Sequence, residues 1–308
     1  MHNKKVIKAH LSIFTACLIW GLMSPIGKDA MINGISGITM VAFRVIGGAV
    51  LFWITSLFTK REEVSSHDMM LLFFAALLGL VLNQCCFTIG LSLTSPINAS
   101  IVTTTLPIIT MILAAIFLHE PVTSKKVMGI FCGAIGALML IIGSMSAASS
   151  KVGDIRGDLL CLLAQLSFAC YLAIFKHLIQ RYSVITIEKW MFIYAAIIII
   201  PLSYHHVASL VWTSISVKTW AETAFVVLGG TFIAYILMMI GQKVLRPTVV
   251  SMYNYVQPIV ACVVSVIAGL GVFGVGQTTA VLLVFLGVYL VTKSKSRADL
   301  LKENAKED

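Results

Sequence analysis

The chain has 308 residues, of which 59% are hydrophobic and only 11% charged, with a formal net charge of +9. Soluble domains carry about 25% charged residues, so this composition suits lipid better than water. The positive charge falls between apolar runs and forms no basic stripe with interleaved aromatics, which argues against nucleic acid as a partner and for the lipid bilayer.

A membrane-crossing helix needs about 20 mostly apolar residues. Only helices fit, because lipid leaves no solvent for unpaired backbone groups. Ten stretches qualify. The first, 9–28, follows Lys4, Lys5 and Lys8 and carries Trp20. It looks like a signal peptide, but no A-x-A-like cleavage site follows, so it reads as an uncleaved span. The second, 36–58, holds Arg44, and the third, 69–91, holds Asn83 and Gln84. The fourth, 96–118, has Pro96 and Pro107 eleven residues apart, with Asn98, Ser100, Thr103, Thr104 and Thr105 between them. Glu120 precedes the fifth, 126–145, which carries Gly129, Gly133 and Gly136. After a linker at 146–156 come the sixth, 157–177 with Tyr171, the seventh, 188–204 with Tyr194, and the eighth, 220–242 with Tyr235. The ninth, 248–269, follows Pro247 and contains Pro258, again eleven apart, around Ser251, Tyr253, Asn254, Tyr255 and Gln257. The tenth is 276–293, and the charged tail 294–308 reads as disordered.

With the N-terminus inside, 17 basic residues face the cytoplasm and 4 face outward, Arg44 lying within a span. This bias predicts that both termini are cytoplasmic. The two proline pairs are 151 positions apart, and so are Trp20 and Tyr171, Gly90 and Gly241, and Gly136 and Gly287. Two sets of five spans must cross in opposite senses. The expected fold is therefore an all-α integral membrane protein of ten transmembrane helices in two inverted five-helix repeats, 9–145 and 157–293, a plan used by secondary transporters.

The stretches "LIWGLMSPIGK", "AFRVIGGAVL" and "SPINASIVTTTLPIITMILAAIFLHEPVTSKKVMGIFCGAIGALML" resemble the drug/metabolite transporter superfamily, its EamA-type members in particular. The likeness runs over about residues 9–293. It implies a carrier in the cell inner membrane that moves a small organic metabolite, an amino acid or related solute with hydrophobic drugs as a variant, by alternating access, with export favoured. Gly271 stands where the first half has Glu120, so the two hairpins are not equivalent. The rivals are a membrane-embedded enzyme and a passive channel. No mid-span carboxylate, H-E-x-x-H, G-x-S-x-G or filter-like loop speaks for either.

Matched kinks in two halves point to a central site. Pro107 and Pro258 each remove a helix hydrogen bond and either shape a cavity or bend a packed helix. Tyr253 and Gln257, at i and i+4, are expected to share a face with Asn254 nearby. Asn83, Gln84, Asn254 and Gln257 need partners across helices or water in a cavity. Arg44, costly in lipid, either snorkels outward or faces the cavity. Trp20, Tyr171, Tyr194 and Tyr235 either stack on solute or pack. Glu120 either complements the start of the fifth helix or gates. The glycines at 129, 133 and 136 serve contacts within the chain or a homodimer. Seven cysteines lie in apolar runs without C-x-x-C, and His205–His206 lacks metal-ligand spacing, so neither metal nor cofactor is expected. Every acid lies in a loop, a tail or the end turn of a span, Glu120 and Glu188 included. That placement predicts transport by downhill movement or exchange, without a buried acid to carry protons.

Overall fold

The computed structural model describes residues 2–94, 96–145, 154–267 and 274–295. Most of the linker and the tail beyond 295 lie outside the described residues. The long helices are α1 (His2–Ile32), α2 (Gly37–Leu57), α3 (Ser66–Leu93), α4 (96–118), α5 (Ser124–Met145), α6 (Ile155–Ile174), α7 (Val184–Ala208), α8 (Val217–Val244), α9 (247–267) and α10 (Val275–Thr292). A short helix, Lys176–Arg181, joins α6 to α7. There is no strand among the described residues. Among the described residues, eight of these helices are long and apolar enough to cross a membrane, and α5 and α9 are not among the eight. Large apolar side chains such as Ile116, Phe117, Ile197, Leu202 and Leu282 face outward. So much exposed apolar surface suits lipid.

Helix starts are set by local chemistry. Ser36, Ser65, Ser183 and Ser216 each accept a bond from the backbone N–H three residues on, satisfying a donor the helix cannot. Ser65 and Ser216, which open α3 and α8, are 151 apart. Each of these helices then widens into a π segment, Leu77–Leu82 and Leu228–Ile233, again 151 apart. Such π segments are frequent at functional sites.

The proline elements differ from simple kinks. In α4 the helix stops at Thr103 and restarts at Leu106, which places Pro107 in the first turn of the second piece. In α9 a 3-10 turn, Tyr253–Tyr255, precedes the helix Val256–Ile267 that contains Pro258. Proline has no N–H for the carbonyl four residues back. The carbonyls to which Pro107 and Pro258 offer no N–H are those of Thr103 and Asn254, 151 apart.

The core is built from α2 against α7, α5 against α10, α3 against α6 and α1 against α8. The glycines of α5 work inside the chain. A Cβ at Gly129 would stand 2.8 Å from the Gly287 carbonyl oxygen, and one at Gly136 2.6 Å from that of Ala280. A Cβ at Gly133 would stand 2.5 Å from the Tyr255 ring. Close helix approach needs such small residues. Gly136→Val is expected to cost at least ~1–3 kcal/mol by overpacking. The measurement is the melting temperature in detergent, and an unchanged value would refute the tight α5–α10 contact.

Candidate functional site

A cavity lies where the interrupted helices meet. Its free volume is about 70 Å³, room for a few waters and well below the ~300 Å³ or more of a metabolite pocket. In this conformation a solute can enter only if helices move.

Trp20 and Met23 line it from α1, and Arg44 from α2. Asn83, Gln84 and Phe87 enter from α3 just beyond its π segment, and Thr103 from the break in α4. Gln165 and Phe168 come from α6, Tyr235 from α8, and Asn254 and Gln257 from α9. The aromatic wall is continuous, with Trp20 edge-on to Tyr235 at 5.8 Å and to Phe168 at 6.5 Å. Trp20 Nε1 donates to the Gly230 carbonyl at 2.8 Å, so the indole is fixed by the π segment of α8.

Arg44 is 5% exposed and faces the cavity rather than snorkelling outward. Its Nε donates to Thr231 Oγ1 at 3.0 Å and its Nη1 to Thr88 Oγ1 at 3.5 Å. Both partners are neutral, and none of the ion pairs among the described residues includes it. Gln84 Nε2 donates to the Tyr235 hydroxyl at 3.0 Å, while Gln84 Oε1 has no partner. Gln257 Nε2 donates to Asn254 Oδ1 at 2.7 Å, and Asn254 Nδ2 has no partner. Asn83 Nδ2 donates to the Ala164 carbonyl at 3.0 Å and so also ties α3 to α6. The walls thus include an unneutralised cation, a vacant acceptor and a vacant donor, a set suited to a small zwitterion or organic anion.

Eight of the expected cavity residues come together here. Tyr171 and Tyr253 do not. Tyr171 is buried toward the end of α6, against Gly79, and its hydroxyl donates to Gln242 Oε1 at 3.1 Å. Tyr253 turns to His10, whose Nδ1 is 2.7 Å from its hydroxyl. The 3-10 turn is the reason: at three residues per turn, Asn254 and Gln257 share a face and Tyr253 leaves it. The side chain of Asn98 lies outside the described residues. Gln165 was missed, although a lone amide in an apolar span is the signal that revealed Asn83.

Both ends of the bundle are laced by bonds between helices. At one end, Lys176 Nζ donates to the carbonyls of Gln242 and Leu245, and Lys243 Nζ to that of Tyr182. Burial brings the Lys176 ammonium down from its usual value to about 8. Asp68 accepts from Arg181 Nη1 at 2.9 Å and from the Tyr182 hydroxyl at 2.7 Å. Here too lies Glu120, which does not cap α5, because Thr123 Oγ1 accepts from Lys126 N instead. Its carboxylate meets Lys126 Nζ at 2.9 Å and accepts from Thr248 Oγ1 on α9 at 3.0 Å. At the opposite end, Lys28 Nζ donates to the carbonyls of Leu91, Ser92 and Thr94, and Lys218 pairs with Asp29 at 2.7 Å.

The expectation that no acid is buried is overturned. Glu120 is 8% exposed and Glu188 only 1%. Glu188 is the fifth residue of α7, but neighbours distant in sequence enclose it.

A family model described as the EamA-like transporter family matches residues 7–142 and 155–293. The "WAT1-related protein At2g40900" of Arabidopsis thaliana is 26% identical, over 95% of this chain and 80% of its own length. The "Uncharacterized transporter YyaM" of Bacillus subtilis (strain 168) is 25% identical, over 66% of each. A crystal structure 18% identical in sequence superposes with a TM-score of 0.72, covering 92% of this chain and 96% of that one, a likeness of fold alone.

Proposed function

Since the chain belongs to the EamA-like transporter family, a multi-pass membrane transporter rather than an enzyme, we propose that it is a secondary carrier for a small carboxylate-bearing solute, an amino acid or close relative. Arg44 carries this reading. A buried guanidinium whose hydrogen bonds go to two hydroxyls and to no anion is expensive in a membrane interior, and a bidentate carboxylate would neutralise it. The aromatic wall of Trp20, Phe168 and Tyr235 suits the apolar part of such a solute.

The wider reading has ten spans in two inverted halves, 9–145 and 157–293, lying in the cell inner membrane with both termini cytoplasmic. The serine caps, π segments and helix breaks repeated 151 residues apart support the halves. The charge bias supports the orientation. Alternating access would unlace the Glu120–Thr248 end and the Lys28–Leu91 end in turn, with export as the working direction.

Counterflow in proteoliposomes tests this. Vesicles preloaded with unlabelled L-amino acids are expected to take up labelled ones transiently and saturably. Linear, unsaturable flux would mean a channel, and no flux with any carboxylate would refute the substrate class.

A further inference from the structure

Glu188 has no role in the cavity just described, yet it is among the most deeply buried charged side chains. Its Oε2 has no hydrogen-bond partner, and among the described residues no ion pair includes it. An ionised carboxylate left so in a dry interior is prohibitively costly. An intramembrane acid of this kind is a functional site by default.

Its position explains what it could do. Phe192, one turn further along the same face of α7, is edge-on to Tyr235 at 5.4 Å, and Tyr171 lies against Gly79 in the π segment of α3, which packs on α7. Tyr235 lines the cavity. Tyr171 bonds to Gln242, whose carbonyl is held by Lys176 at the laced end. Glu188 is six residues past Tyr182, which Lys243 holds at the laced end, and one turn before Phe192, which packs on the cavity residue Tyr235, so it lies between that mouth and the cavity. Other charged and titratable groups on the helices around it are engaged elsewhere. Arg44 on α2 is held by Thr231 and Thr88, with Cys85 of α3 beside it. On α3, Asp68 is tied to Arg181 and Tyr182, with His67 Nδ1 at 3.5 Å. Lys243 on α8 bonds to Tyr182, while Lys218 and Glu222 are at the far end. On α7 itself, Lys189 lies over the rings of Trp53 and Trp190.

We infer that Glu188 is a proton-binding site that couples solute movement to a proton. It holds the proton on its carboxylate in the closed bundle and gives it to water when the Tyr171–Gln242 mouth opens. One proton is taken from one side and released to the other in each cycle, with no other reactant. The inference rests on the carrier reading above.

Two measurements on the full chain in proteoliposomes test it, each comparing the parent with Glu188→Gln, a neutral near-isostere that keeps the packing. The first is infrared spectroscopy at neutral pH, which needs no solute. A protonated-acid carbonyl band present in the parent and lost in the variant is expected, and an identical spectrum would overturn the proposal. The second uses a mixture of labelled L-amino acids under an imposed pH gradient, with the potential clamped. The parent should accumulate label up to about tenfold per pH unit for one-to-one coupling and lose it with a protonophore. The variant should keep counterflow but not accumulate. Accumulation by the variant equal to the parent's, or parent counterflow indifferent to the gradient, would overturn coupling. Absence of all counterflow would refute the carrier reading instead, and the infrared result would still decide proton binding.

Discussion

Replacing Arg44 with methionine is expected to end transport of carboxylate-bearing solutes and to leave the fold as stable as the parent or more so. The two effects have opposite signs for a physical reason. With solute bound, the guanidinium gains a charged partner, and removing one member of a buried charge pair costs ~2–5 kcal/mol, roughly 30- to several-thousand-fold in affinity. Without solute, Arg44 is a buried cation whose two hydrogen bonds go to threonine hydroxyls. An apolar side chain of similar length avoids that desolvation. Arg44→Lys should not restore binding, because a point charge cannot offer the planar fork. Counterflow and melting temperature are measured on the same preparations. A variant that melts much earlier yet still transports would make Arg44 a structural tie between Thr88 and Thr231.

Glu120→Ala is expected to destabilise the protein by ~3–5 kcal/mol. The loss is not that of an attraction alone. Lys126 is 1% exposed, and removing its partner leaves an ammonium uncompensated in the interior. The Thr248 hydroxyl would lose its acceptor too, so the tie between the α4–α5 connection and α9 would go. The double variant Glu120→Met with Lys126→Met should recover most of the loss, because a buried pair replaced by apolar groups is often neutral. Chemical denaturation in detergent reads both. Equal losses in the single and double variants would mean that the ion pair contributes nothing beyond packing.

Much of this site is legible in the sequence, because amides and a guanidinium stand out within apolar runs. Arg44, Asn83, Gln84, Asn254 and Gln257 each have to be explained by a cavity or a partner, and the structure brings them together. Direction is less legible. The 151-residue offset aligns Trp20 with Tyr171, yet only Trp20 faces the cavity, because each ring follows its own helix packing. Tyr253 left the expected face when the backbone tightened by less than one residue per turn. Glu188 was misread because sequence position measures distance along a helix and not depth under neighbouring ones. Four residues from the start of α7, next to the charged Lys189, it looked wet. Phe192, one turn further on, packs edge-on against Tyr235 of α8, and nothing local announces that contact.

Two contacts join residues 151 positions apart: Gln84 to the Tyr235 hydroxyl, and the Tyr255 hydroxyl to the Thr104 carbonyl. If two identical five-helix chains met about a two-fold axis, a residue on the axis would face its own copy. It would have to be self-complementary, and two tyrosine rings would compete for one space. A continuous chain escapes that demand, so a bulky phenol can face a slimmer amide. Because the two sides of the midpoint differ, a solute lying across it meets different chemistry at each end. A solute held in this cavity, as we propose, would therefore have a preferred way round, head and tail distinguished by which half of the chain each touches.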